Sequence, residues 1–426
     1  MSNPLLISSL LILMLIHPAV SQDYDFEIPE EEKEAAIAFS GNLDAKWGVL
    51  KSQKESPLYR MNFFSTEQDA SYLSQYRLDL YLNGECRHKQ VGFSVKTFYQ
   101  YTKEGPIDPT FFELQGSLNL TPRLSAGLGK RRYFWGKGYA FNPVGYVNTE
   151  KDPENPDLTL AGIVSGFINY NKSYESNWLQ NLSLSCVIMP PEAEINDKFA
   201  RADHTGIALK LYLLLRNIDI DVMMFQRQGE PQRYGLDFST NVRTNLEIHG
   251  EVSYDKDDTK TFIEQDAIQQ KQTDGASYLF GIRYLTNLNT TIIAEYYHDN
   301  RGLSESEFRD LLGFLRDRVA SGDSEIVTQT RIDFTSRFQT RTFMRDYLYV
   351  KVSQPEPFSW LYSSIGAFTI YNLDDNSFTL SAQLGYKPFT NFEFLLWPTV
   401  LSGDDNSEYG SRQLEGKVEM WLRWFF

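Results

Sequence analysis

From about residue 39 onward the chain alternates apolar and polar side chains, position by position, in many short stretches. In 203–216, Ile207, Leu209, Leu211, Leu213 and Leu215 share one parity, while Lys210, Tyr212 and Arg216 hold the other. In 246–255, Leu246, Ile248, Val252 and Tyr254 oppose Glu247, His249 and Glu251. In 71–83, Tyr76, Leu78, Leu80 and Leu82 oppose Arg77, Asp79 and Tyr81. Period two is the mark of a β-strand, because successive side chains point to opposite faces. The pattern predicts strands at 39–50, 71–83, 89–101, 108–120, 124–137, 159–170, 179–189, 203–216, 217–228, 233–243, 246–255, 275–286, 289–299, 340–353, 357–371, 376–387, 390–402 and 413–426. That is eighteen strands, with sixteen the nearest alternative count.

The connections alternate in length. Short ones, such as Thr121-Pro122-Arg123, Arg216-Asn217 and Thr286-Asn287-Leu288-Asn289, carry Asn, Pro or Thr turn chemistry. Long ones are expected at 51–70, 138–158, 190–202, 256–274 and 300–339. Within the last, Ser304 and Glu307 have capping-box spacing, and Phe308, Leu311, Leu312, Leu315 and Val319 recur at helical period. A helix near 304–322 follows, and its apolar stripe must plug the mouth, pack on neighbouring loops or dock a partner.

Composition narrows the class. Leu5 to Ile16 is an apolar run followed by small residues at Ala19 and Ser21, the pattern of a signal peptide over 1–21. An acidic extension over 22–38, with Glu30-Glu31-Glu32, precedes the strands. No later stretch approaches the roughly 20 apolar residues of a membrane helix. A strand that faces lipid on one side only needs alternate apolar positions, so the moderate hydrophobicity fits a membrane β-barrel. A secreted soluble β-sandwich or propeller would show the same alternation. Cys86 and Cys186 lie outside any CxxC pair or histidine cluster, so neither a metal site nor a disulfide scaffold is expected. The formal net charge of −15 leaves no basic footprint for nucleic acid.

The last ten residues, Lys417 to Phe426, alternate to the end of the sequence. Val418, Met420, Leu422, Trp424 and Phe426 share one face. This resembles the C-terminal signature of Gram-negative outer-membrane β-barrels, which end on an aromatic residue. The resemblance implies an all-β fold, a transmembrane antiparallel up-and-down barrel over 39–426, porin-like and embedded in outer-membrane lipid and lipopolysaccharide. At 16 to 18 strands such a barrel encloses water. The inward parity would then hold pore-lining Arg77, Lys96, Glu113, Arg131, Lys210, Asp221, Arg227, Arg283, Glu295 and Glu419.

The third loop on the long-connection side, entered at Trp135 and running through 138–158, is rich in glycine and aromatic residues, and is expected to fold inward as a constriction through Trp135, Tyr139, Phe141, Asn142 and Tyr146. Arg131, Trp135, Gly136, Asn142 and Pro143 form an R-x-x-x-W-G…N-P stretch that is similar to one in alginate-export-like substrate channels. Lys130 and Arg132 fall on the lipid parity, which requires either a rim position or a bulge. The expected function is a porin or channel for small polar or anionic solutes. The alternative is a barrel sheath or docking scaffold for a partner complex such as a porin–cytochrome electron conduit. Either a homotrimer or a periplasmic or surface partner protein is compatible with the pattern. Catalysis has one weak candidate, His249 with Glu247, Glu251 and Ser253; no cofactor or metal motif is present.

Overall fold

The computed structural model describes residues 37–64, 70–158, 161–191, 204–338 and 340–426. The expected signal peptide and nearly all of the expected acidic extension lie outside the described residues. The rest forms a closed antiparallel sheet of eighteen strands, each paired with its neighbours in sequence, β18 returning to β1. The strands are β1 (Ile37–Ser52), β2 (Tyr72–His88), β3 (Val91–Thr102), β4 (Gly105–Thr121), β5 (Leu124–Arg131), β6 (Ile163–Ser173), β7 (Leu179–Met189), β8 (Gly206–Leu215) and β9 (Ile218–Gln226). They continue as β10 (Gln232–Arg243), β11 (Leu246–Glu264), β12 (Ala267–Leu285), β13 (Thr291–His298), β14 (Asp346–Pro355), β15 (Ser363–Asn372), β16 (Phe378–Phe389), β17 (Phe392–Ser402) and β18 (Leu414–Phe425). Closure removes both sheet edges, so every ladder has a partner.

The outer face is apolar. Leu78, Ile168, Val252, Phe280, Val352, Val418, Leu422 and Trp424 are all exposed there. No helix among the described residues is long and apolar enough to cross a membrane. The seam is closed by Phe426, whose backbone exchanges hydrogen bonds with Gly41 at 2.8 and 3.0 Å. Its ring lies over Gly41, where any side chain would collide with it, and 6.2 Å from that of Phe39.

Two expectations about elements are corrected. Residues 256–274 are not a loop: β11 and β12 continue as a hairpin to a two-residue turn at Gln265-Asp266, both at positive φ. The extension projects beyond the apolar band, and its few apolar residues, Phe262, Ile263 and Ile268, pack against the α2 cluster on both parities, so period two gives no contrast there. β5 stops at Arg131 rather than 137. Gly129 takes φ +126°, in a spot where a Cβ would strike the Leu114 carbonyl, and the chain then leaves the wall.

Three helices sit at the long-loop end: α1 (Pro57–Asn62), α2 (Glu305–Ala320) and α3 (Ser324–Arg337). Ser304 and Glu307 close the capping box of α2. Its stripe of Phe308, Leu311, Leu312 and Leu315 is buried against Leu58 and Met61 of the α1 segment, Phe343 and Met344, and Tyr347 of β14. The stripe packs on neighbouring loops and the upper wall, which caps the mouth.

An inward loop latched to the barrel wall

The connection between β5 and β6 folds inward. It is held by two buried carboxylates on neighbouring parts of the wall. Glu251 on β11 accepts backbone N–H groups of Lys137 and Gly138, each at 2.5 Å. Glu295 on β13 accepts those of Tyr139 and Ala140, the latter at 2.8 Å. A run of four consecutive N–H groups thus meets two acids that water does not reach, which makes each bond strong. Gly136, at φ +95°, and Gly138 permit this approach, since a side chain at either would strike Glu251 or its surroundings.

Apolar anchors complete the seat. Trp135, Val144, Tyr146 and Val147 pack against Phe167, Val187, Ala208, Met223 and Phe225 of the wall. Phe141 stacks on Tyr297 with ring centroids 4.5 Å apart. The Tyr146 hydroxyl meets Ser253 at 2.8 Å, and the Asn142 side chain donates to the Trp135 carbonyl. Of the expected constriction residues, Trp135, Phe141 and Tyr146 are therefore buried anchors. Tyr139 and Asn142 are half-buried; the Tyr139 hydroxyl reaches Asp157 at 2.8 Å and receives the Lys351 ammonium.

The wall charges have distinct settings. Lys137 from the loop lies 3.1 Å from Asp221 and 3.9 Å from Asp237; Lys210 reaches Asp221 at 3.6 Å. Burial works against the Lys137 ammonium, but these carboxylates outweigh it and raise its pKa. Burial pushes Lys151 down, although its ammonium still donates to the Tyr139 carbonyl at 3.2 Å. Lys96 and Arg132 both hold Glu113, at 3.1 and 2.9 Å. Arg77 pairs with Asp79 at 3.2 Å, and Glu419 with Lys417 at 3.2 Å. Arg283 lines a lumen cavity with Glu247 and Lys351.

Glu113, Asp221, Arg227 and Glu295 are buried rather than open to water. Their contacts explain it: the loop covers Asp221 and Glu295, and Arg227 pairs with Glu230 beyond the end of β9. Arg132 is not at a lipid rim; the chain has already turned inward and its guanidinium meets Glu113. Lys130 is also buried. His249 binds Glu295 at 3.0 Å, while Ser253 is engaged by Tyr146 and Asp255, so the pair does not form a nucleophile–base contact.

One functional element has no period-two signal. Phe112 is the extra residue of a bulge in β4, since Lys96 pairs with Glu113 and Thr97 with Phe111. The bulge frees the Phe112 carbonyl, which accepts the Gly162 N–H at 2.8 Å and fixes the far end of the loop.

Beneath the loop, towards the short turns, lies a cavity of ≈850 Å³. Its charged lining is Lys89, Arg123, Arg131, Arg132 and Lys210, with no carboxylate. The Arg131 guanidinium rests 4.0 Å from the Phe167 ring and 5.5 Å from that of Tyr133. It forms no ion pair among the described residues.

An eighteen-stranded closed barrel with a loop folded into its lumen is matched by solved structures. A BenF-like porin from Pseudomonas fluorescens Pf-5 superposes with TM-score 0.57 at 9% identity, covering 92% of this chain and 98% of that one. The chain has the porin fold. OccK8 (OprE) of Pseudomonas aeruginosa gives TM-score 0.54 at 8% identity, over 92% of this chain and 98% of the other. Wzi of Escherichia coli, an outer-membrane carbohydrate-binding β-barrel involved in group 1 capsule assembly, gives 0.52 at 8% identity, over 90% and 83%. No protein-family model matches this porin-like chain, and no curated protein matches its sequence.

Proposed function

We propose that this porin-like barrel is an outer-membrane channel for small polar solutes that favours anions. One observation carries the reading: the cavity beneath the latched loop is lined by five cations and no carboxylate, and Lys89, Arg123 and Arg131 among them form no ion pair among the described residues, although the whole chain carries a net charge of −15. The acids are spent elsewhere. Asp221, Glu251 and Glu295 hold the loop, and Glu113 is enclosed by Lys96 and Arg132. Arg131 is flattened against aromatic faces with its N–H donors uncommitted, an arrangement suited to a passing anion. The porin fold of the structural neighbours supports a channel over an enzyme, as does the engagement of His249 by Glu295. The packed loop also argues against an empty sheath around a partner protein, because it occupies the space that a partner would need.

The test is single-channel recording in a planar bilayer with a salt gradient. Discrete steps with an anion-selective reversal potential are expected. A charge about 7 Å from a permeating ion in water alters its energy by about 0.6 kcal/mol, roughly a threefold effect. Arg131→Ala destabilises the anion and stabilises the cation by that amount each, so it should lower the anion-to-cation permeability ratio by roughly sevenfold. Cation selectivity in the unmodified protein would overturn the reading.

A further inference from the structure

The inner wall carries an aromatic cluster that the basic cavity does not include. Tyr81 on β2, Phe98 on β3 and the bulged Phe112 on β4 form a contiguous surface. Tyr81 and Phe98 have ring centroids 4.9 Å apart, and Phe98 and Phe112 stack at 5.2 Å with planes 18° apart. All three are half-buried, so part of each ring is open to the lumen. We propose that these rings form a binding platform for an uncharged saccharide. The proposal deepens the channel reading and rests on it for the ligand's entry path.

Three features select that ligand. The ring faces are electron-rich and attract the slightly positive C–H groups that a pyranose presents on one face. The charged groups around the platform are already matched. Lys46 meets Asp79 at 2.7 Å, Arg423 meets Asp44 at 2.8 Å, and both Lys96 and Arg132 hold Glu113. Matched pairs leave no free cation to recruit an anion, yet they still hydrogen-bond hydroxyls.

The third feature is unfilled hydrogen-bonding capacity on the strand that carries Phe112. On β4, three residues beyond Phe112, Gln115 Oε1 lacks a hydrogen-bond donor among the described residues. A hydroxyl donates as well as accepts, so it serves that oxygen. A flat aromatic acid would satisfy the rings but would leave its charge without a partner here.

The experiment is calorimetric titration of the full barrel, folded in a sugar-free zwitterionic detergent, with maltotriose as probe. Benzoate is the second probe, and the electrophoretic shift on heating verifies folding. Binding of maltotriose at millimolar concentration is expected. Phe98→Leu, which keeps bulk but removes the ring, should weaken it about tenfold, equivalent to about 1.4 kcal/mol. Tyr81→Leu should do the same, and serves if the first variant does not fold.

Absence of maltotriose heat, or affinity unchanged in folded variants, overturns the platform. So does benzoate binding that depends on Phe98 while maltotriose does not bind. Because the readout is binding rather than current, a silent channel would count against the transport reading without touching this one. Anion-selective steps with no sugar binding would do the reverse.

Discussion

At the residue scale, one glycine closes the barrel. Gly41 exchanges two backbone hydrogen bonds with Phe426, and a Cβ there would stand 2.6 Å from the phenyl ring. Gly41→Val must push away both the terminal ring and the Tyr81 carbonyl, which a Cβ would meet at 2.5 Å, an overpacking cost of about 1–3 kcal/mol. Gly84 on β2 has nothing within 4 Å of its would-be Cβ, so Gly84→Ala is the control. The midpoint of the heat-induced electrophoretic shift should fall clearly for the first and stay within error for the second. Equal midpoints would mean that the close packing of Gly41 against Phe426 and Tyr81 does not hold the seam. The outward parity of Phe426 was legible in the last ten residues. Its seat on Gly41 was not, because that contact joins the two ends of the barrel through a register no local pattern encodes.

At the element scale, the latch and the cap behave differently. The latch rests on charge-assisted bonds of about 1.5–3 kcal/mol each. Glu251→Ala leaves the Lys137 and Gly138 N–H groups without an acceptor, so the loop should detach from β11. Single-channel traces should then show frequent transitions between sub-levels, whereas Glu251→Gln, which keeps an acceptor, should stay quieter. A steady trace for Glu251→Ala would place the loop's stability in Glu295 and the apolar anchors.

The cap depends on Glu408, between β17 and β18, which receives the Phe343 N–H at 3.1 Å, the Tyr347 hydroxyl at 2.5 Å and the Arg412 guanidinium at 2.7 Å. Burial pushes its carboxyl above the usual range, and Arg412 offsets this only in part. An acid with a raised folded pKa binds its proton more tightly when folded. Its contribution is full below pH 4.5, its unfolded value, and is lost as pH rises through the raised one. Hydrogen exchange at the Phe343 amide should therefore accelerate over that window beyond its intrinsic pH dependence, and Glu408→Gln should remove the excess. Identical profiles would exclude Glu408 as the source.

These elements were unequally legible in the sequence. All eighteen strands appear near their expected places because lipid on one side and water on the other impose period two. The α2 helix announced itself through Ser304, Glu307 and its apolar spacing. The hairpin over 256–274 did not, since beyond the lipid band its few apolar residues, Phe262, Ile263 and Ile268, pack on the cap without keeping one parity. The bulge at Phe112 breaks the very period that revealed the strands. The latch was hidden differently: Glu251 and Glu295 had the inward parity of a solvated wall, and only the folded loop shows that they bind its backbone.

At the scale of the whole molecule, the barrel divides into a cap, a latched loop and a basic cavity, stacked from the long-loop end to the short-turn end. If the cap limits access and the cavity sets selectivity, the two should separate on mutation. The fold provides a clean cut. Leu303 and Met344 already form a bridge, with the Leu303 N–H donating to the Phe343 carbonyl at 2.8 Å. The excursion carrying α2 and α3 therefore leaves and returns at one point. Below it, β13 and β14 are paired from His298 and Asp346 onward. Replacing 304–342 by a short Gly-Ser link should leave that register intact and the barrel foldable, because loop insertions and deletions cost little when the ends are held together. It also removes Phe308, Leu311, Leu312 and Leu315 from the mouth, exposing the apolar partners Leu58, Met61 and Tyr347 that they cover. Conductance should rise several-fold while the reversal potential stays where Arg131 and its neighbours set it. A shifted reversal potential would put part of the selectivity in the cap. Unchanged conductance would place the limiting barrier at the latched loop, and loosening by Glu251→Ala would then be the change that opens the channel.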